Sequence, residues 1–139
     1  MIQKIVDSGH EIASHGYSHQ RATDQTPEEF RADICRTKTI LENLAGTTIT
    51  GYRAASFSFD ESNKCTHEIL EDEGYTYSSS VYPVTHDHYG MPSAPQFPFG
   101  SLLGRQFSEF PLTTIRRLGR NISCAGGGYF RLFPYGASR

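Results

Sequence analysis

Two histidines four residues apart carry the strongest chemical signal in the chain: His15 and His19, in the run His15-Gly16-Tyr17-Ser18-His19. Side chains at i and i+4 of a helical turn share one face. Two imidazoles so placed can meet at one cation, about 2.0–2.1 Å from each nitrogen. Residues 11–14 read as a short extended stretch that runs straight into the pair. Catalytic groups in α/β barrels stand at the C-terminal ends of strands. A divalent metal held there suits hydrolysis, provided that a third ligand, a base and an acid are at hand. An isolated pair of this spacing is common in proteins that bind no metal, so the spacing alone does not decide the matter. His10 lies five residues before His15, on the opposite face of an extended stretch, and reads as structural.

Arg53, in Gly51-Tyr52-Arg53-Ala54-Ala55-Ser56-Phe57, falls at the end of a predicted strand. Its guanidinium could hold a carboxylate base through a bidentate pair, although an ordinary surface arginine is the plainer reading. His86-Asp87-His88 is the nearest thing to a third-ligand cluster, but consecutive residues rarely converge on one ion. Tyr17, Phe57, Tyr89 and Phe97 could stack on sugar rings, and each taken singly is more often core packing. Gly126, Gly127 and Gly128 lead into aromatics with no Lys-Ser or Lys-Thr, so they read as a turn and not a phosphate loop.

These residues need elements to position them. Residues 2–8 predict a helix ended near Gly9. Thr26 followed by Pro27, Glu28 and Glu29 is a capping box with proline at the first helical position. Phe30, Ile34, Leu41 and Leu44 recur at helical spacing, and Gly46 supplies the stop, so a helix is expected over 27–45. Residues 48–54 read as a strand. A second helix capped by Asp60 or Ser62 should include His67, Ile69 and Leu70 and end at Gly74. Residues 75–81 predict another strand, and 109–117 a further one. Alternating strands and helices favour a parallel α/β arrangement, open or barrel. Between 82 and 104, Pro83, Pro92, Pro95 and Pro98 exclude a regular helix or central strand, leaving an ordered loop held by aromatics.

Bulk properties agree with a globular protein. The chain has 139 residues, a net charge of -2 and 20% charged residues. No basic face suggests nucleic acid as a partner. No apolar run approaches the roughly 18 residues of a membrane span. Cys35, Cys65 and Cys124 are too few and too widely spaced for a disulfide framework or a cysteine zinc site, and are expected as buried or half-buried free thiols.

Four segments in order resemble the NodB-homology polysaccharide deacetylases, most closely the branch associated with exosortase and exopolysaccharide gene clusters. They are GHEIASHGYSH, GYRAASFSFD, EDEGYTYSSSVYPVTHDHYGMP and GRNISCAGGGYFRLFPY, and they span residues 9–135. The resemblance implies an α/β fold, a distorted (β/α)7 barrel, here incomplete and lacking its first and last strands. Residues 1–139 would be a partial catalytic domain, with 82–139 a Pro/aromatic-rich, family-specific region. It implies a divalent metal, with zinc the expected ion, held by two histidines and an aspartate, and hydrolysis of the N-acetyl groups of an amino-sugar polysaccharide. By position His15 and His19 match the metal ligands, and Arg53 matches the arginine that orients an aspartate base. Tyr17, Phe57 and Tyr89 are the candidate substrate contacts.

Gly16, Ala55 and Ser78 depart from the residues usual in this family. The family's first motif, with paired aspartates, and its last, with a histidine acid, are expected to lie outside residues 1–139, which makes this stretch inactive alone. Two alternatives stand beside that reading: a non-catalytic carbohydrate-binding remnant, and an amidohydrolase of a small cyclic amide on the same fold. No hydrophobic leader is visible, which leaves the bacterial cytoplasm or the envelope as expected locations. The oligomeric state is open.

Overall fold

The computed structural model describes residues 1–86, 89–100 and 107–124. Three α-helices, α1 (Ile2–Asp7), α2 (Pro27–Ala45) and α3 (Cys65–Asp72), pack beside a four-stranded sheet. Its strands are β1 (Gly51–Tyr52), β2 (Tyr77–Ser78), β3 (Phe99–Gly100) and β4 (Ser108–Glu109), in the order β1-β2-β4-β3. β1, β2 and β4 are parallel, while β3 runs antiparallel to β4. The sheet is therefore mixed and not uniformly parallel as expected. Ser14 forms an isolated parallel bridge with Tyr52 on the far side of β1. A separate antiparallel hairpin pairs β5 (Thr114–Arg117) with β6 (Arg120–Ser123). Among the described residues no helix is long and apolar enough to cross a membrane.

Helix α2 has the bounds that its termini dictate. The Thr26 hydroxyl accepts from the Glu29 amide, the Glu29 carboxylate accepts from the Thr26 amide, and Gly46 closes the last turn in the left-handed region. Phe30 and Ile34 are fully buried, Leu41 is partly buried, and Ala45 completes the face. Leu44 was expected on that face but is 54% exposed. At 100° per residue it lies at the flank of the stripe that Phe30, Ile34 and Leu41 define. Phe30 meets Tyr52 and Phe59 edge-on, and Tyr52 stacks on Phe59, so α2 is fixed against the strand ends by aromatic contacts.

Several expected elements are shorter or displaced. The strand expected over 48–54 is a ladder at Gly51–Tyr52 only, because Ala54 donates its amide to the Ser80 hydroxyl and the chain then turns through residues 55–57. Gly51 is required there, since a Cβ would collide with the Tyr77 ring. The second helix starts at Cys65, with no side-chain cap. The Asp60 carboxylate instead accepts from the Ser62 amide and hydroxyl, closing a local turn. The single strand expected over 109–117 divides into β4 and β5 around Pro111, which has no amide to donate to a ladder. Cys65 is exposed, not buried, while Cys35 and Cys124 are half-buried free thiols. The Gly126–Gly128 turn lies outside the described residues, as do Asp87 and His88.

Glu109 locks the sheet to α3. Its carboxylate is buried and accepts from the Ser80 and Val81 amides at 2.7 and 2.8 Å and pairs with His67 Nε2 at 3.2 Å. Burial opposes ionisation, but the His67 ring and the two amides outweigh it and hold the carboxyl below its usual range. The folded value thus lies below the unfolded one, about 4.3 for glutamate. Stability from this group is present above that value and is lost as pH falls through the folded one. Glu109→Gln keeps an acceptor for the two amides but cannot ionise. Its urea midpoint is expected to fall less steeply than that of the parent chain below about pH 4.5. Parallel acid limbs for the two proteins would refute this assignment.

Candidate functional site

The candidate residues gather where Ser14 and β1 end. Ser14 takes the Gly51 carbonyl with its amide at 2.9 Å and gives its own carbonyl to the Arg53 amide at 2.9 Å. This two-bond bridge sets His15 beside Arg53, although 38 residues separate them. His15 Nδ1 lies 2.7 Å from the Arg53 carbonyl oxygen. A carbonyl only accepts, so Nδ1 carries the proton and Nε2 is left with its lone pair available to a ligand.

The His15 and His19 rings lie with centroids 5.0 Å apart, edge to face. The proximity expected from their spacing is present, but its origin is different. Residues 15–19 form no helical turn. Gly16 has φ +78° and His19 φ +55°, so two left-handed residues fold the loop back and bring the rings together. A non-glycine residue with positive φ is uncommon and is kept only where surrounding bonds over-determine it.

Those bonds come from Asp33, in the middle of α2. Its carboxylate accepts from the Tyr17 amide at 2.9 Å, the Ser18 amide at 2.9 Å and the Ser18 hydroxyl at 2.6 Å. It lies so close that a Cβ on Gly16 would sit 2.8 Å from Oδ2. Glycine at 16 is what this contact requires. Asp33 was not singled out from the sequence. The one available hint is its residue type, since aspartate is a poor helix former away from the first turn.

Arg53 is also tied down. Its Nε donates to the Ser79 carbonyl at 2.9 Å and its Nη2 to the Ser79 hydroxyl at 2.8 Å, which leaves further guanidinium donors for a carboxylate. Ser79 is a second residue that sequence reasoning missed. Its neighbours Ser78 and Ser80 are buried and bonded hydroxyl to hydroxyl at 2.6 Å, which ties down the backbone on either side of Ser79, just past β2.

The aromatic candidates divide. Tyr17 is half exposed, with the Arg36 guanidinium 3.6 Å over its ring. Phe57 and Tyr89 instead pack with Tyr82, Val84 and Leu112 in a second apolar cluster. His86 stacks on Tyr89. Among the described residues no group of three or more His, Cys, Asp or Glu side chains is placed to hold a metal ion, so the two imidazoles form at most part of a site.

A family model described as polysaccharide deacetylase matches residues 1–78. A second, described as a domain of unknown function (DUF3473), matches residues 79–139. The peptidoglycan deacetylase of Helicobacter pylori is 31% identical over 80 residues, 58% of this chain and 26% of that protein. A peptidoglycan deacetylase-like protein of Gibberella zeae is 36% identical over 77 residues, 55% of this chain and 22% of that protein. A crystal structure from Mycobacterium smegmatis, assigned as a polysaccharide deacetylase, superposes with a TM-score of 0.63 at 27% identity. It covers 81% of this chain and 35% of that one. The matched stretch thus spans about a quarter of the length of the curated relatives.

The loop geometry makes a prediction that needs no ligand. Asp33→Ala should lower unfolding free energy by about 1–2 kcal/mol, because the hydrogen bonds lost are charge-assisted. It should also move the His15 and His19 ring resonances toward their unfolded positions. Gly16→Ala should have a similar effect through its left-handed φ and the Asp33 contact. Undisturbed ring resonances in both variants, read by NMR, would show that Asp33 does not shape the loop.

Proposed function

Because the chain belongs to the polysaccharide deacetylase family, we propose that it supplies two metal ligands and a base-orienting arginine to a hydrolase of N-acetyl groups on an amino-sugar polysaccharide. The observation that carries this reading is the meeting of His15 and His19, 5.0 Å apart, with His15 Nδ1 anchored on the Arg53 carbonyl. That bond fits metal ligation. It fixes the neutral tautomer and aims Nε2 away from the backbone, as the outer partners of ligating histidines do.

A divalent cation, zinc in this proposal, would supply Lewis-acid polarisation of the acyl carbonyl. The protein's own groups do the rest. His15 and His19 hold the cation. Arg53, braced by Ser79, orients the carboxylate that takes a proton from the attacking water. Tyr17 offers its half-exposed ring to a sugar, and Phe57 and Tyr89 shape the wall behind Arg53, with the Arg53 guanidinium 5.9 Å from the Phe57 ring. The carboxylate base, the third ligand and the acid for the leaving amine come from residues outside these 139. The described sheet then corresponds to the central part of an incomplete (β/α)7 barrel, and 82–139 to a family-specific region.

Zinc titration by calorimetry tests the ligand assignment. His15→Ala and His19→Ala should each weaken binding by about tenfold or more, a loss of about 1.4 kcal/mol per factor of ten. Acetate release from N-acetylglucosamine oligomers by this chain alone should be negligible, since catalytic groups act as a unit. Zinc affinity unchanged in the double variant would remove the metal reading. Clear turnover by the unmodified chain would show that base and acid are already within it.

A further inference from the structure

Away from the histidines, an open groove of about 910 Å³ runs between the Pro-rich loop and the β5–β6 hairpin. Gln96 and Phe97 line one wall, and Phe97 is 77% exposed. Arg116, Arg120 and Asn121 line the other. Three contacts hold the walls together. Gln96 Nε2 donates to the Thr114 hydroxyl at 2.9 Å, Asn121 Nδ2 donates to the Pro83 carbonyl at 2.8 Å, and the Tyr82 and Ser123 hydroxyls are hydrogen-bonded.

The arginines have no such commitment. Among the described residues, none of Arg116, Arg117 and Arg120 forms an ion pair. The hairpin register sets Arg117 directly opposite Arg120. Like charges facing each other across a ladder are destabilising. The chain offers little to offset this. From Phe110 to Arg139 there are five arginines and no Asp, Glu or Lys, in a chain whose net charge is -2. Two of the unpaired cations, Arg116 and Arg120, line the groove and are placed there for an external anion.

Guanidinium groups match carboxylates bidentately. An exposed phenyl ring beside them suits the apolar face of a sugar ring. The arginines line a concavity, which a linear polymer can enter and a flat bilayer cannot. We propose that this groove binds a carboxylate-bearing glycan strand, so that the polysaccharide addressed by the chain is anionic as well as N-acetylated. That the bound strand is also the polymer hydrolysed rests on the deacetylase reading, whereas the binding site does not.

The test uses oligogalacturonate as the anionic probe, chitohexaose as the neutral one and phosphatidylglycerol vesicles as the lipid one. Oligogalacturonate should bind with an affinity that falls as salt rises. Arg116→Ser combined with Arg120→Ser should weaken it by about tenfold without lowering the melting temperature, since the like-charge pair with Arg117 is removed, and Phe97→Ala should weaken it by about threefold. Arg116→Lys with Arg120→Lys keeps the charge but not the fork, and should fall between parent and Ser variant. Zinc affinity should be the same in all of these, so failure of the metal reading and failure of the groove are read separately. No oligogalacturonate binding, binding indifferent to both arginines, or arginine-dependent binding to vesicles alone would each overturn the proposal.

Discussion

The hydrogen bond between His15 Nδ1 and the Arg53 carbonyl joins the two halves of the candidate site, and it exists only because Ser14 pairs with Tyr52. Ser14 is buried, and both of its backbone polar groups are used by the 51–53 segment. A buried backbone segment has to find such partners, so the bridge follows from bringing Ser14 into the core. Once it forms, register leaves no choice about which carbonyl faces His15. The imidazole tautomer is thereby set by sheet pairing and not by the histidine itself. A one-residue slip would turn His15 to the other face of the strand.

Around this bond the chain builds outward with polar groups, not apolar ones. Asp33 holds the His15–His19 loop from α2, Ser79 holds the Arg53 side chain from β2's end, and Ser80 receives the Ala54 amide. Glu109 in turn holds the Ser80 and Val81 amides and reaches His67 on α3. Asp33, Ser80 and Glu109 cap backbone amides that no ladder pairs, and Ser79 fixes a side chain. Short strands explain why so many are needed: β1 and β2 contribute two residues each, and the loops that follow carry the chemistry. Hydrogen-bonded networks of this kind are directional, so they can fix left-handed residues such as His19 and Ser56 where packing alone would leave rotamers to choose.

What could be read from the sequence follows the range of the forces involved. The termini of α2 were legible because Thr26, Pro27, Glu29 and Gly46 act on their own neighbours. The meeting of His15 and His19 was also anticipated, although by way of a helical turn that does not exist. Spacing correctly suggested proximity, but Gly16 and Asp33 supply it. Asp33 itself could not be found, because its partners lie 15 and 16 residues away and nothing local marks it. Strand lengths were over-read for the same reason. Val, Ile, Thr and Tyr favour extended backbone, but where a ladder stops depends on partners such as the Ser80 hydroxyl and on Pro111. Leu44 shows the limit of periodicity, which locates a stripe but not its edges.

The two halves of the chain solve their charge differently, and this bears on how they divide the work. In the first half several ionised groups satisfy one another or the backbone. Arg31 bonds Asp72 and Glu73, Lys38 caps the Glu73 carbonyl, and Asp33 is surrounded by donors. Such groups gain little by meeting a ligand, since their partners would have to be displaced. The hairpin does the reverse, placing Arg117 against Arg120 with no ion pair to either among the described residues. A protein that only needed a stable hairpin would gain by replacing one of that pair with glutamate, an opposite-charge cross-strand pair. Retaining both arginines makes sense where the counter-charge arrives from outside. Under the proposed function, the histidine pair and the arginine groove would be two grips on one polymer, one at the acyl group and the other on the charge that runs along the strand.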